Sequence, residues 1–179
     1  MGCGFCYIGR MLGHPSGWLR NGRPEGDRCM KLSNLLDESV VKIGLEGEDK
    51  EEVLAEMIDM LARAGRVQDR EHALQAILAR EELATTGIGD GLAVPHGKHA
   101  SVKKLTVALG ISKKGVEFDA TDGEPVYVIF LVLAEANNPG PHVQCLGEVA
   151  RLLQVPGLAE RLRNAKSARE AIDAIRAEE

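Results

Sequence analysis

The chain has 179 residues, of which 44% are hydrophobic and 27% charged, and a formal net charge of −5. These values fit one globular domain with a substantial core. The diffuse acidic balance argues against a nucleic-acid binder, which needs a basic face to replace counterions on phosphates.

Residues 1–29 are rich in Gly, Arg and Cys, hold the only Trp (Trp18), and show neither helical nor strand periodicity. Two readings suit them: a disordered extension, or a segment upstream of a true start at Met30. The apolar stretch around Ile8 to Leu12 is too short and too interrupted for a signal peptide. Cys3 and Cys6 form a CxxC, a spacing used for zinc or redox work. Cys29 and His14 could complete a ligand set only in a poor arrangement, so no metal site is expected. The remaining cysteine, Cys145, leaves no disulfide pattern, and a reducing cytoplasm is the expected setting.

From Met30 onward the pattern becomes regular, and residues 30–179 read as a single domain. KLSNLL suggests a short opening helix, and Val40 to Leu45 a strand. Asp49 then opens a helix, with Glu52 three residues later in a capping-box arrangement. Val53, Leu54, Met57, Ile58 and Leu61 recur at helical spacing as one buried stripe, and Gly65 is placed to stop that helix. A second helix is expected from about Asp69 to Glu82, with Leu74, Ile77 and Leu78 inward. Ala84 to Gly91 reads as a Thr/Gly loop, followed by a short strand from Leu92 to Val94 that leads into Pro95-His96. Lys104 to Ser112 predicts another strand, and Asp122-Gly123 a turn. Pro125 to Ala134 is almost wholly apolar, as in a central strand covered on both faces; the run is too short for the ~20 residues of a membrane span, and no membrane insertion is expected. A helix over Pro141 to Leu153 ends at Pro156-Gly157. Two more follow, near Leu158–Arg163 and Ala168–Ala177, the latter capped by Ser167 with Glu170. Strands interleaved with helices predict an α/β fold, a sheet sandwiched between helical layers.

Chemistry concentrates in Arg80 to Lys98, REELATTGIGDGLAVPHGK. Gly87, Gly89 and Gly91 let backbone N–H groups approach an anion closely, and Thr85 and Thr86 add hydroxyl donors. Arg80, ending its helix, offers a charged fork suited to phosphate oxygens. His96 supplies an imidazole, a group ordinarily neutral near pH 7. Such a ring can accept a phosphoryl group on one nitrogen while the other donates a hydrogen bond, so it is both nucleophile and leaving group. Each part alone is ordinary: glycine-rich loops are usually turns, and a histidine after proline is usually structural. No GK[ST] follows the glycines, which disfavours a nucleotide-binding loop. No acid pair nearby suggests a kinase-like magnesium site.

The segment TTGIGDGLAVPHGK resembles the active-site signature of the enzyme IIA components of the fructose/mannitol type, including the nitrogen-regulatory IIA proteins. The resemblance extends across nearly all of residues 30–179, through KLSNLL, DKEEVLAEMIDMLARAG, GEPVYVIFLVLA and PGPHVQCLGEVARLL. It implies a three-layer α/β/α sandwich with a mixed β-sheet, and a phosphoryl group carried on Nε2 of His96. His142 matches the family's second histidine, whose ring can donate to that group, and Arg80 matches the arginine thought to steady it. Thr85 stands where Ser is common. Asp90 stands where Asn is common, and a carboxylate close to a phosphoryl dianion would weaken it unless it points away.

The same resemblance implies the small histidine phosphocarrier protein as donor and no cofactor. The acceptor is either a sugar-specific IIB component or none, the phosphorylation state itself being the signal to targets such as potassium-transport regulators. The 179 residues include neither a IIB nor a transporter domain, which favours the regulatory form. A different class of function, a metal-dependent hydrolase built on His96, His99 and His142, lacks an acid ligand near these positions. His99 is therefore expected to be an exposed loop histidine, His72 a solvated or lightly packed helix residue, and Cys145 a small buried thiol.

Overall fold

The computed structural model describes residues 30–179. Cys3, Cys6, Cys29 and His14 lie outside the described residues, as does the expected extension over 1–29. The opening segment forms a 3₁₀ turn, Leu32–Asn34, in place of the expected helix. A second 3₁₀ turn, Glu38–Val40, leads into β1, Val41–Ile43, so this strand is shorter than its apolar run suggested.

Helix α1 (Lys50–Arg63) starts where its cap requires, the Asp49 carboxylate accepting from Glu52 N and so satisfying one of the four unpaired amides at a helix start. The Glu52 side chain reaches back to Glu48 N at 2.9 Å, one residue before the cap. Val53, Leu54, Met57, Ile58 and Leu61 are all fully buried. Gly65, at φ +68°, ends the helix: its N–H donates to Ala62 O, and Arg66 N–H donates to Leu61 O, the paired bonds of a glycine-terminated helix. Helix α2 (Arg70–Leu83) is capped by Asp69, whose side chain accepts from His72 N. Its buried positions are Ala73, Ile77 and Glu81, while Leu74 and Leu78 are only partly covered.

The segment expected to be a loop holds a small hairpin, β2 (Gly87–Gly89) and β3 (Leu92–Ala93), turning through Gly89, Asp90 and Gly91, all at positive φ. Two residues on, His96–His99 form β4. Strands β5 (Thr106–Val116) and β6 (Val126–Glu135) follow, then α3 (Pro139–Leu153), α4 (Leu158–Asn164) and α5 (Ala168–Arg176). Helix α3 starts two residues earlier than read, with Pro139 in its first turn, where a missing N–H costs nothing. Ser167 caps α5 by accepting from Glu170 N, as expected.

The sheet is mixed, in the order β1-β5-β6-β3-β2, with β4 also on β6. Its centre is β6, antiparallel to β5 and parallel to β3 and β4. Every paired residue of β3 and β4 faces the residue 36 positions on, Leu92 opposite Val128 and His96 opposite Val132. The chain from Leu92 to His99 thus keeps one register along β6 and is interrupted only at Val94-Pro95, where Pro95 O still accepts from Val132 N at 2.9 Å. Helices lie on both sides of the sheet. Helices α1 and α2 pack on each other, and α2 lies along β4; α3 packs on β6, and α4 on β5 and β6. Val128 to Ala134 are buried without exception, as a strand covered on both faces should be.

Candidate functional site

A cavity of about 420 Å³ opens at the edge of the sheet between α2, β4 and α3. It is lined by Ala76, Ala79, Arg80 and Leu83 of α2, His96, Gly97 and Lys98 of β4, and His142 of α3. Gly97 permits this closeness, because a Cβ there would come within 3.1 Å of Ala76 O and of Ile77 Cδ1. The helix therefore settles onto the strand at a separation that favours glycine, and its Arg80 reaches the same cavity as His96.

The His96 ring is half-buried, and its Nδ1 lies 2.8 Å from Val94 O. A carbonyl oxygen can only accept, so Nδ1 carries a proton and, in the neutral ring, Nε2 keeps its lone pair. The break in the strand at Val94-Pro95 supplies that carbonyl. The rings of His96 and His142 have centroids 5.6 Å apart, tilted by 48°. His142 is only 4% exposed, and its Nε2 is buried with no hydrogen-bond partner among the described residues. Burial, reinforced by the positive charge of Lys98 and by His96, pushes its pKa down to about 4, so the ring is neutral at pH 7. Native proteins rarely leave a buried polar nitrogen unpaired, and one beside a cavity points to something that fills it.

Arg80 is held by the backbone at the end of its helix, Nη1 donating to Ala84 O at 3.0 Å. The next residue, Glu81, is 6% exposed and anchors the following segment, accepting from Thr86 N at 3.1 Å and from Thr86 Oγ1 at 2.5 Å. Lys50 Nζ approaches this carboxylate at 3.5 Å.

The structure thus brings together Arg80, His96 and His142. It does not bring Thr85, Thr86, Gly87, Gly89 and Gly91 to the cavity, and their geometry explains why. Thr85 Oγ1 donates to Phe118 O, and the Thr86 hydroxyl is engaged by Glu81. A Cβ on Gly87 would meet Ala120 Cα at 2.8 Å, while Gly89 and Gly91 turn the hairpin. These glycines allow close approach of the protein to itself. Asp90 lines a separate cavity with Tyr127, Glu160 and Arg163, and so lies away from His96. Sequence reasoning missed Lys98 as a site residue. Reading His96–His99 as a strand would have found it, since residues i and i+2 share a face.

His99 is a strand residue and not an exposed loop histidine. Its ring stacks on His72 of α2, centroids 5.2 Å apart and 17° from parallel, and Nδ1 pairs with Ser101 Oγ at 2.8 Å. Among the described residues no group of three or more His, Cys, Asp or Glu is placed to hold a metal, and nothing supports the hydrolase reading. Cys145 is buried, as expected, and burial pushes its thiol up to about 12. Among the described residues no helix is long and apolar enough to cross a membrane.

Residues 34–178 match the family described as "Phosphoenolpyruvate-dependent sugar phosphotransferase system, EIIA 2". The fructose-specific EIIA component of Haloferax volcanii is 39% identical over 126 residues, covering 70% of this chain and 82% of that protein. The fructose-specific EIIABC component of Bacillus subtilis is 37% identical over 146 residues, covering 82% of this chain; the match spans only 23% of that longer protein. Among solved structures, the nitrogen regulatory protein IIA-Ntr of Neisseria meningitidis superposes with a TM-score of 0.74 at 32% identity, covering 80% of this chain and 98% of that one.

Proposed function

The chain belongs to the EIIA type-2 family of the phosphotransferase system, and from that premise we propose that it carries a phosphoryl group on Nε2 of His96. The observation that carries this reading is the Nδ1 contact to Val94 O, which leaves Nε2 as the nucleophile. The donor is the histidine phosphocarrier protein, protonated on the ring nitrogen not bound to phosphorus. The His96 Nε2 lone pair attacks phosphorus as the donor's N–P bond breaks, and the donor leaves as a neutral imidazole. The proton stays on His96 Nδ1, donated to Val94 O throughout, so no proton has to move on this side and the step reverses along the same path. Arg80 supplies positive charge to the phosphoryl oxygens. Neutral His142 has one ring proton to give, and with that proton on Nε2 it donates to the group that fills the cavity.

The partner is a protein surface. Leu83, on the cavity lip, is 82% exposed, and Val143, next to His142, is 63% exposed. Apolar side chains around a reactive centre suit a docked partner better than a free small substrate. Two outlets follow from the relatives. Likeness to the fructose-specific proteins supports transfer onward to a IIB component during sugar uptake. Likeness to IIA-Ntr supports a regulatory role in which the charge state of His96 is the output, read by targets such as potassium-transport regulators. Incubation with phosphoenolpyruvate, enzyme I and the phosphocarrier should add about 80 Da of acid-labile mass, absent in His96→Ala. Loss of that mass on adding a fructose-type IIB protein selects the first outlet; retention, with partner capture that depends on charge state, selects the second. No gain in mass overturns the reading.

A further inference from the structure

Lys98 lines the same cavity as Arg80, His96 and His142. It sits two residues beyond His96 on β4, so both side chains project from one face of the strand. It is uncommitted: among the described residues its ammonium makes no ion pair or hydrogen bond. Lys50 is taken by Asp119 and Glu81, and Arg80 spends one donor on Ala84 O. The charge of Lys98 is nonetheless felt inside the cavity, where it opposes protonation of His142.

A phosphoryl group on histidine brings about two negative charges. Arg80 and His142 meet them with one positive charge and one neutral donor, leaving the group under-compensated. Lys98 carries a further positive charge on the strand side of the same cavity. Resting on the phosphocarrier reading above, we propose that the Lys98 ammonium contacts the phosphoryl oxygens on His96 and sets how strongly this protein holds the group relative to its donor.

Equilibrium separates this role from docking. A residue that only helps the partner bind changes the rates of transfer in both directions equally and leaves the final partition of phosphoryl groups unchanged. A residue that touches the phosphoryl group shifts the partition itself. The full chain and its Lys98→Gln, Lys98→Arg and Lys98→Glu variants are each mixed at low concentration with phosphorylated histidine phosphocarrier protein, and both proteins are weighed intact once the ratio is constant. The equilibrium constant should fall about tenfold in Lys98→Gln, the size of one charge-assisted hydrogen bond, and further in Lys98→Glu. Lys98→Arg should restore it to within about threefold. Added salt should lower the wild-type constant more than that of Lys98→Gln, which keeps only the Arg80 charge. Lys98 is exposed, so the variants fold. A Lys98→Gln partition equal to wild type, in a wild type that accepts the group, overturns this proposal alone. A wild type that accepts no group overturns the phosphocarrier reading and this proposal with it.

Discussion

His142 offers the sharpest test of the site, because its burial has a cost that pH can reveal. The ring has a pKa of about 4 in the folded protein, against about 6.5 when unfolded. Well above pH 6.5 the ring is neutral in both states and burial of the neutral form is undisturbed. As pH falls from 6.5 towards 4, the unfolded chain takes up a proton that the folded protein refuses, and stability is lost. Between pH 7.5 and pH 5 the two values give a loss of about 2 kcal/mol from this one residue. The perturbation is His142→Gln, which removes the titration while keeping a polar side chain of similar reach. The assay is urea unfolding of both proteins at the two pH values. His14, His72 and His99 are present in both and cancel in the difference, and His96, the smallest of the three influences on His142, leaves only a small remainder. Wild type should lose about 2 kcal/mol more than His142→Gln on acidification, whatever the variant's stability at pH 7.5. Equal losses would mean that His142 is not held neutral by burial, and the picture of a neutral donor facing the phosphoryl group would fall with it.

Glu81→Ala would strand Thr86 N–H and its hydroxyl in a buried setting and leave Lys50 with Asp119 alone. That should cost about 2–4 kcal/mol in chemical denaturation, and a loss below about 1 kcal/mol would mean the carboxylate is not an anchor. Asp90→Asn should leave the phosphorylation rate within about twofold of wild type, because Asp90 is exposed, lines a different cavity, and its charge is screened by solvent and salt. A large increase in rate would mean that its carboxylate does repel the phosphoryl group.

Much of this architecture was legible in the residues because local rules decide it. The stripe from Val53 to Leu61, the caps at Asp49 and Ser167, and the covered strand through Val126 to Ala134 each follow from spacing and chemistry within a few residues. The segment His96–His99 escaped because HGKH has no apolar alternation; its strand character comes from pairing with Val132 to Glu135, which sequence proximity does not encode. The glycines of TTGIGDG were read as a cradle for an anion, since a positive φ serves equally well in an anion nest and in a hairpin turn. Only the fold distinguishes the two. His99 beside His72 is likewise a tertiary pairing between a strand and a helix. Arg80 and His96 stood out from their own chemistry, His142 came from the family resemblance, and geometry adds the tautomer of His96 and the presence of Lys98.

The shared register of β3 and β4 along β6 has a consequence for synthesis. The segment bearing His96 leaves the ribosome well before the strand it must pair with, and His142 emerges later still. Until β6 is available, β4 has no partner among the strands that precede it, and the constellation does not exist in any local hairpin. Contacts of that sequence separation form late and cooperatively. On the phosphocarrier reading proposed above, a nascent or stalled chain that has not yet released α3 lacks His142 and so an assembled acceptor site, and the capacity to take the group arrives together with completion of the fold.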